Sequence, residues 1–309
     1  MFETVDVSEW PVVGDEPMGT KRKVWLGRPA AGGVGGPKWL FKYRSRDYTG
    51  DDWSEKVAAG LAGVLGVPHA TVELAGRGAD RGVISRDLAG DAQLIPGDRV
   101  LAEHDASFPD SATAYSKSDH TLVGVFRVLL KLTVGVAEGT PAVTAICTAA
   151  DTFCGYLMLD ALLGNTDRNP GNWAVLEYQG PGQSRVLKLC PSYDHASSLG
   201  YRETDGTRLA RLVTLDAGFA VPAYALRAKS ALYKSGGSAL GTHEAFGVAA
   251  GGSPDAAGFW LSRLRDTPYS TFADIVARIP REIMSEPARR FACELLRSNR
   301  ETLLAVSIP

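Results

Sequence analysis

Leu163-Gly164-Asn165-Thr166-Asp167-Arg168-Asn169-Pro170-Gly171-Asn172-Trp173 holds three of the chain's four asparagines within eight residues. It follows a long helical stretch and precedes a strand. Its core is Asp167 with Asn172 five residues on, the spacing by which kinase-type phosphotransferases set a catalytic carboxylate beside a metal-binding amide. Asp194 closes the next apparent strand, Val186-Leu187-Lys188-Leu189-Cys190-Pro191-Ser192-Tyr193-Asp194-His195. A hairpin there brings the three side chains to one edge of a cleft. Asn, Asp, Gly and Pro also crowd into ordinary turns, because Asx side chains bond their own backbone and Gly and Pro supply special dihedrals. The pair alone therefore fits either a turn or a site. Asp194 favours a site, since phosphoryl transfer needs a second carboxylate, and the pattern then requires a lysine upstream.

Bulk properties set wide bounds. A length of 309 residues suits one large domain or two lobes, and 45% hydrophobic with 22% charged residues is globular composition. A net charge of −2 exerts no global pull on nucleic acid or anionic membrane, so no direct nucleic-acid binding is expected. The start, Met1 to Asp6, lacks the basic and apolar runs of a signal peptide, which predicts a cytoplasmic protein. The apolar window Leu122 to Val134 is broken by Arg127 and Lys131 and is too short to span a bilayer, so no membrane span is expected. Cys147, Cys154, Cys190 and Cys293 have no paired spacing; buried core residues are predicted, not a zinc site or a disulfide framework. No Walker A pattern occurs, which argues against a P-loop enzyme.

The first third predicts strands around one helix. Lys23 to Leu26 and Lys38 to Tyr43 are short, aromatic-rich and flanked by Gly and Pro. Between them Ala30 to Pro37, with Gly35 and Gly36, fits either a phosphate-covering loop or a flexible hairpin tip. A helix from about Trp53 to Leu65 has Asp51 or Asp52 available as cap and Glu55 in its first turns. Strands His69 to Ala75 and Gly82 to Ser85 follow. Lys42 and Glu55 are candidates for the ion pair that orients ATP phosphates; the alternative is an exposed strand-end lysine and a solvated glutamate.

From about Ser111 the pattern turns helical, after a polar connector from Ala102 to Asp119. Thr121 to Leu132 is apolar around most of its circumference and predicts a buried helix. Pro141 is taken to open a helix running to Leu163. The Gly/Ser/Thr-rich stretch after Asp194, to about Thr207, is where activation or substrate loops would lie. Ser235 to Ser253, with six glycines, looks mobile. Helices resume at Phe272, Ile275, Val276 and Ile279, and Phe291, Leu295 and Leu296 line the last one. His195 is expected to pack at a strand end, and Arg289-Arg290 and Lys21-Arg22-Lys23 to lie on solvated faces.

Trp39-Leu40-Phe41-Lys42-Tyr43, Trp53-Ser54-Glu55-Lys56, Gly82-Val83-Ile84-Ser85, Gly164-Asn165-Thr166-Asp167-Arg168, Asn172-Trp173, Tyr193-Asp194-His195 and Ile279-Pro280, in that order, resemble the HipA-like serine/threonine kinases. That family is itself distantly similar to phosphatidylinositol 3- and 4-kinases. The resemblance runs from about Val24 to Leu304. It implies an α+β, two-lobed protein-kinase-like fold: a small β-rich nucleotide-binding lobe with one helix over 1–110, a hinge about 85–102, and a larger helical lobe over 111–309. It also implies residue roles. Lys42 binds the α- and β-phosphates of ATP and Glu55 holds it. Asp167 accepts or orients the acceptor hydroxyl, Asn165 braces the loop, and Asn172 and Asp194 hold Mg2+. Ser85, Arg86, Asp87 and Leu88 form the hinge that meets adenine, and Gly35 and Gly36 belong to the glycine-rich loop.

The implied activity is ATP- and magnesium-dependent phosphorylation of serine or threonine on a protein. A small-molecule hydroxyl acceptor (metabolite, antibiotic or lipid headgroup) is the alternative, because fold does not decide function, and a nucleotide-binding pseudokinase is a third. Two features depart from the family. Asn169 stands where a histidine is usual, followed by Pro170-Gly171, and Ala30 to Pro37 has no serine for the autophosphorylation known in HipA toxins.

Overall fold

A computed structural model describes residues 1–16, 22–29, 36–46, 49–109, 116–180, 182 and 184–308. β1 (Thr4–Asp6), β2 (Val12–Asp15), β3 (Lys23–Gly27), β4 (Lys38–Tyr43), β5 (Val72–Arg77) and β6 (Asp80–Arg86) form a six-stranded sheet in the order β1-β5-β6-β4-β3-β2. β1 runs parallel to β5, and the other neighbours are antiparallel. β4 alternates with period two: Trp39, Phe41 and Tyr43 pack with Leu26 and Ile84 on one face, leaving Leu40 and Lys42 on the other. Burying Phe41 contributes roughly 1.5–3 kcal/mol, so the apolar face fixes which way Lys42 points.

α1 (Asp51–Leu65) lies against that second face, and its first three turns are buried all round apart from Gly60. The cap is Gly50, not Asp51 or Asp52, which sit in the first turn with other partners. Asp51 Oδ2 accepts from Ser45 Oγ at 2.8 Å, and Asp52 Oδ2 accepts from Arg81 Nε at 2.8 Å. The far side of α1 meets the segment after Asp194, where Ser54 Oγ donates to the Ser198 carbonyl and Gly50 N–H to that of Tyr201, both at 2.9 Å. That segment, part of the stretch expected to hold activation or substrate loops, is buried from His195 to Tyr201 because it is packed under α1.

The chain leaves the sheet at Arg86 and enters a second, three-stranded one at β7 (Gln93–Pro96), inside the expected 85–102 connection. β7 pairs antiparallel with β8 (Ala174–Gln179), and β8 with β9 (Arg185–Leu189). α2 (Gly97–His104) packs on the same sheet. Residues 93–104 therefore pack with the second part of the chain, where the boundary at 110 had put them with the first. α3 (Leu122–Lys131) is not buried all round. Val123 and Leu130 are 50% and 58% exposed, because α2 and α4 (Ala149–Leu163) cover only the opposite face.

α4 begins at Ala149 and not at Pro141. Thr148 and Asp151 form a capping box, with Thr148 Oγ1 accepting from Asp151 N–H at 3.2 Å and Asp151 Oδ2 accepting from Thr148 N–H at 2.9 Å. Every other residue of α4 is buried. After α5 (Asp205–Val213), α6 (Val221–Leu226) and β10 (Lys229–Tyr233), the glycine-rich 235–253 stretch proves ordered. It contains β11 (Ala239–Gly241), paired with β10, and α7 (Thr242–Gly252). Ala245, Phe246, Ala249 and Ala250 on α7 are buried, and the helix packs on α4. That burial outweighs the ~1 kcal/mol each interior glycine costs.

α8 (Pro254–Asp266), α9 (Tyr269–Ala277) and α10 (Glu286–Leu304) complete the helical body. Arg289 is half-buried and donates to the Val276 and Ile279 carbonyls, whereas Arg290 is exposed as expected. Arg22 lies over the Tyr43 ring, 3.8 Å from its centroid. Cys154 and Cys190 are buried and Cys293 half-buried, but Cys147 is exposed in the irregular run before α4. Among the described residues no helix is long and apolar enough to cross a membrane.

Candidate active site

Lys42 Nζ lies 2.8 Å from Glu55 Oε1 and 3.3 Å from Asp194 Oδ1, so one ammonium joins β4, α1 and the segment beyond β9. Burial alone would lower its pKa, but the Asp194 and Glu55 carboxylates reverse that and raise it above the ordinary lysine value. The lysine is charged and available to phosphate oxygens. Register puts Lys23 directly opposite Lys42, and cross-strand partners share a face. Lys23 is half-buried, and its pKa is pulled down by burial against the opposing attraction of Asp194. It is thus a second cation beside the site, which its place in a basic run concealed.

The asparagine loop starts where α4 ends in the left-handed Gly164, φ 61°. Asn165, fully buried, donates from Nδ2 to Asp160 Oδ1 at 2.8 Å and accepts the Asp167 N–H at 3.2 Å. Asn169 caps a 3-10 turn over Pro170–Asn172. Asn172 Nδ2 donates to the Asp167 carbonyl at 2.6 Å, which directs Oδ1 away from that bond.

Arg168 binds this loop to its surroundings. It makes a two-pronged pair with Asp160, Nε to Oδ2 and Nη2 to Oδ1 both at 2.8 Å, and also donates to the Asn172 carbonyl at 2.7 Å and Ser192 Oγ at 3.0 Å. Tyr193 OH donates to the Gly171 carbonyl at 2.9 Å, and Thr166 N–H to the Ser197 carbonyl at 3.1 Å. These bonds flank Asp194 on both sides and hold it beside the loop. Asp194 lies beyond β9, not at its end, and has φ 58°, a conformation that aspartate tolerates better than most residues.

His195 points inward. Its Nε2 is hydrogen-bonded with Ser192 Oγ at 2.8 Å, the same hydroxyl that accepts from Arg168, and burial pushes the imidazole pKa well below its ordinary value. Asn172 and Asp194 remain as hard oxygen donors. That donor set fits magnesium, which takes one or two protein ligands and completes its shell with phosphates and water. Among the described residues no group of three or more His, Cys, Asp and Glu is gathered for a metal.

The expected hinge lies along the base of β4. Ser85 is buried opposite Leu40, Arg86 faces Trp39, Asp87 N–H donates to the Lys38 carbonyl at 3.0 Å, and Leu88 packs against the core. Gly36 is not brought to Lys42. The β3–β4 hairpin closes at the Gly27–Lys38 end, about 13 Å along the strand from Lys42 at ~3.3 Å per residue. A Cβ on Gly36 would sit 2.2 Å from the Arg28 carbonyl oxygen, so this glycine serves the hairpin. Gly35 lies outside the described residues. β2 ends and β3 begins at the Lys42 end.

No protein-family model and no curated protein matches the chain. Among solved structures it matches the Helicobacter pylori proinflammatory kinase CtkA with a TM-score of 0.71 at 18% identity, over 98% of this chain and 96% of that one. It also matches the Shewanella oneidensis MR-1 toxin–antitoxin complex of HipA, HipB and operator DNA, with a TM-score of 0.50 at 11% identity, over 95% of this chain and 66% of that one. At these identities the likeness establishes the fold, which is that of a HipA-like kinase.

Proposed function

We propose that this chain, built on a HipA-like kinase fold, is an ATP- and magnesium-dependent phosphotransferase acting on a serine or threonine hydroxyl of a protein. One observation carries the proposal: Lys42 is bonded to both Glu55 and Asp194, and Asp194 is tied to the loop that holds Asp167 and Asn172. Phosphoryl transfer asks little covalent chemistry of a protein, so positioning and charge neutralisation account for the rate.

Lys42, held by Glu55, binds the α- and β-phosphates, with Lys23 adding positive charge beside them. The Ser85 to Leu88 segment meets the base through its backbone. Asp167, half-exposed at the loop surface, takes the proton of the acceptor hydroxyl as that oxygen bonds to the γ-phosphorus. The bond from the γ-phosphorus to the bridging oxygen breaks, and its electron pair leaves with ADP. Asn172 and Asp194 would hold magnesium, which supplies charge neutralisation at the β- and γ-phosphates when bound.

The test is incubation with γ-labelled ATP and magnesium, alone and with cell lysate, for the parent and for Asp167→Ala and Asp194→Ala. Label on protein with the parent only is the expected result. Equal label from all three would overturn the site assignment. Label on small molecules alone would replace the protein acceptor by a metabolite, and MgATP binding without transfer would make the chain a pseudokinase.

A further inference from the structure

We infer that Asn169 is a positioning residue that sets the direction of the Asp167 carboxylate, which rests on the proposed phosphotransfer and refines it. Asn169 Oδ1 accepts the Gly171 N–H at 2.8 Å. A backbone N–H can only donate, so the oxygen end of this amide is fixed and the usual flip ambiguity is removed. Nδ2 must face the other way, where it donates to Asp167 Oδ1 at 2.9 Å.

The main chain of Asp167 is clamped separately. Its N–H donates to Asn165 Oδ1 at 3.2 Å, and its carbonyl accepts from Asn172 Nδ2 at 2.6 Å. With both backbone groups held, the freedom left to Asp167 is rotation of its side chain, and the Asn169 bond removes it. Oδ1 is engaged by the amide, so Oδ2 is the oxygen presented to the acceptor. A general base contributes about 10²–10⁴-fold only when its accepting atom is within hydrogen-bond reach of the proton, and a misplacement of about 1 Å costs on the order of 10²-fold.

Asn169 also caps the 3-10 turn, which is a stability role. Two substitutions separate the roles. Asn169→Ser keeps a capping oxygen and removes the donor to Asp167. Asn169→Asp keeps size and cap but turns a carboxylate, an acceptor, toward Asp167. The assay is the rate of γ-phosphoryl transfer from MgATP to protein in cell lysate by the full chain, with MgATP affinity by calorimetry and thermal melting alongside.

The expected result is a fall of about 10²-fold in kcat for both variants, with KM and Kd for ATP within twofold and melting within a few degrees. Turnover within threefold of the parent would overturn the inference and leave the proposed function standing. Loss of MgATP affinity or of the melting transition in step with turnover would also overturn it, reducing Asn169 to a cap. A parent that binds MgATP without turnover, or does not bind it, overturns both.

Discussion

Asp160→Asn removes one charge from the interior, and its effect follows from the bonds Asp160 makes. Asp160 is 2% exposed and Arg168 fully buried. The two Asp160 oxygens accept three donors: Arg168 Nε, Arg168 Nη2 and Asn165 Nδ2, each at 2.8 Å. An asparagine offers one oxygen, best kept at the position that takes two donors, so its NH2 is set against Arg168 Nε. Burial pulls the guanidinium pKa down, and the Asp160 carboxylate reverses this; an arginine stays charged in any case.

The substitution therefore leaves an uncompensated buried charge, which costs about 3–5 kcal/mol, a large share of the 5–15 kcal/mol that stabilises a typical fold. With a urea m-value of about 3 kcal/mol/M, the unfolding midpoint should fall by about 1 M or more, read by circular dichroism and tryptophan fluorescence. A shift equivalent to less than about 1 kcal/mol, the range of an exposed ion pair, would refute the reasoning. The double variant Asp160→Leu with Arg168→Met should recover much of the stability, because an apolar pair can replace a buried ionic one. It should not recover transfer, since Arg168 also holds the Asn172 carbonyl and Ser192 Oγ. Recovery of both would make Arg168 a structural charge only.

Gly82→Ala places a Cβ 2.0 Å from the Lys42 carbonyl oxygen and forces β4 from β6 at the lysine; we expect a loss of about 1–3 kcal/mol and weaker MgATP binding, and an unchanged melting curve would count against it. Acid should destabilise the fold through His120 and His195, since burial lowers the first to about 4 and the second well below its ordinary value. Such histidines take up protons only on unfolding, so stability is complete above the unfolded pKa near 6.5 and falls below it by ~1.4 kcal/mol per pH unit for each. Urea midpoints at pH 7 and pH 5 test this, and equal values would contradict it. Iodoacetamide should label exposed Cys147 in the native protein. Buried Cys154, its thiol pushed up to about 12 by burial, should label only after denaturation, as peptide mass mapping would reveal.

The parts of the fold legible in the sequence are those where one local signal decides. Alternation in Lys38–Tyr43 turns Lys42 to one face, Trp53, Val57 and Leu61 give α1 its stripe, and the turn residues of 164–173 mark the loop. β1, β2 and β7 were missed because three or four residues cannot register a period. α7 was hidden because its glycines argue against a helix that tertiary burial then stabilises. The glycine-rich connection reads as either phosphate cover or hairpin tip because strand register is non-local: the pairing of Lys23 with Lys42 places Gly36 at the hairpin end. Lys23 itself was lost for the same reason, and the Arg168 network because a fully buried arginine is too rare for composition to predict.

Several of the bonds that assemble the site are directed at backbone. Arg168 and Tyr193 donate to the carbonyls of Asn172 and Gly171, and Asn172 to that of Asp167. The two parts of the chain are joined likewise. Arg263 reaches the Val64 and Leu65 carbonyls at the end of α1, and Arg81 reaches those of Glu282 and Ile283 while pairing with Asp52. A carbonyl acceptor is present whatever side chain its residue carries, so neighbouring positions can change while the path of the backbone persists. Such bonding is compatible with a fold kept at 18% identity. It also fixes α1. Swinging the helix from Lys42 would break these bonds, at about 1 kcal/mol for each neutral one and more for the charged ones, and would leave Glu55, 1% exposed, a carboxylate without its lysine. The Lys42–Glu55 pair is therefore maintained by packing between the two parts of the protein.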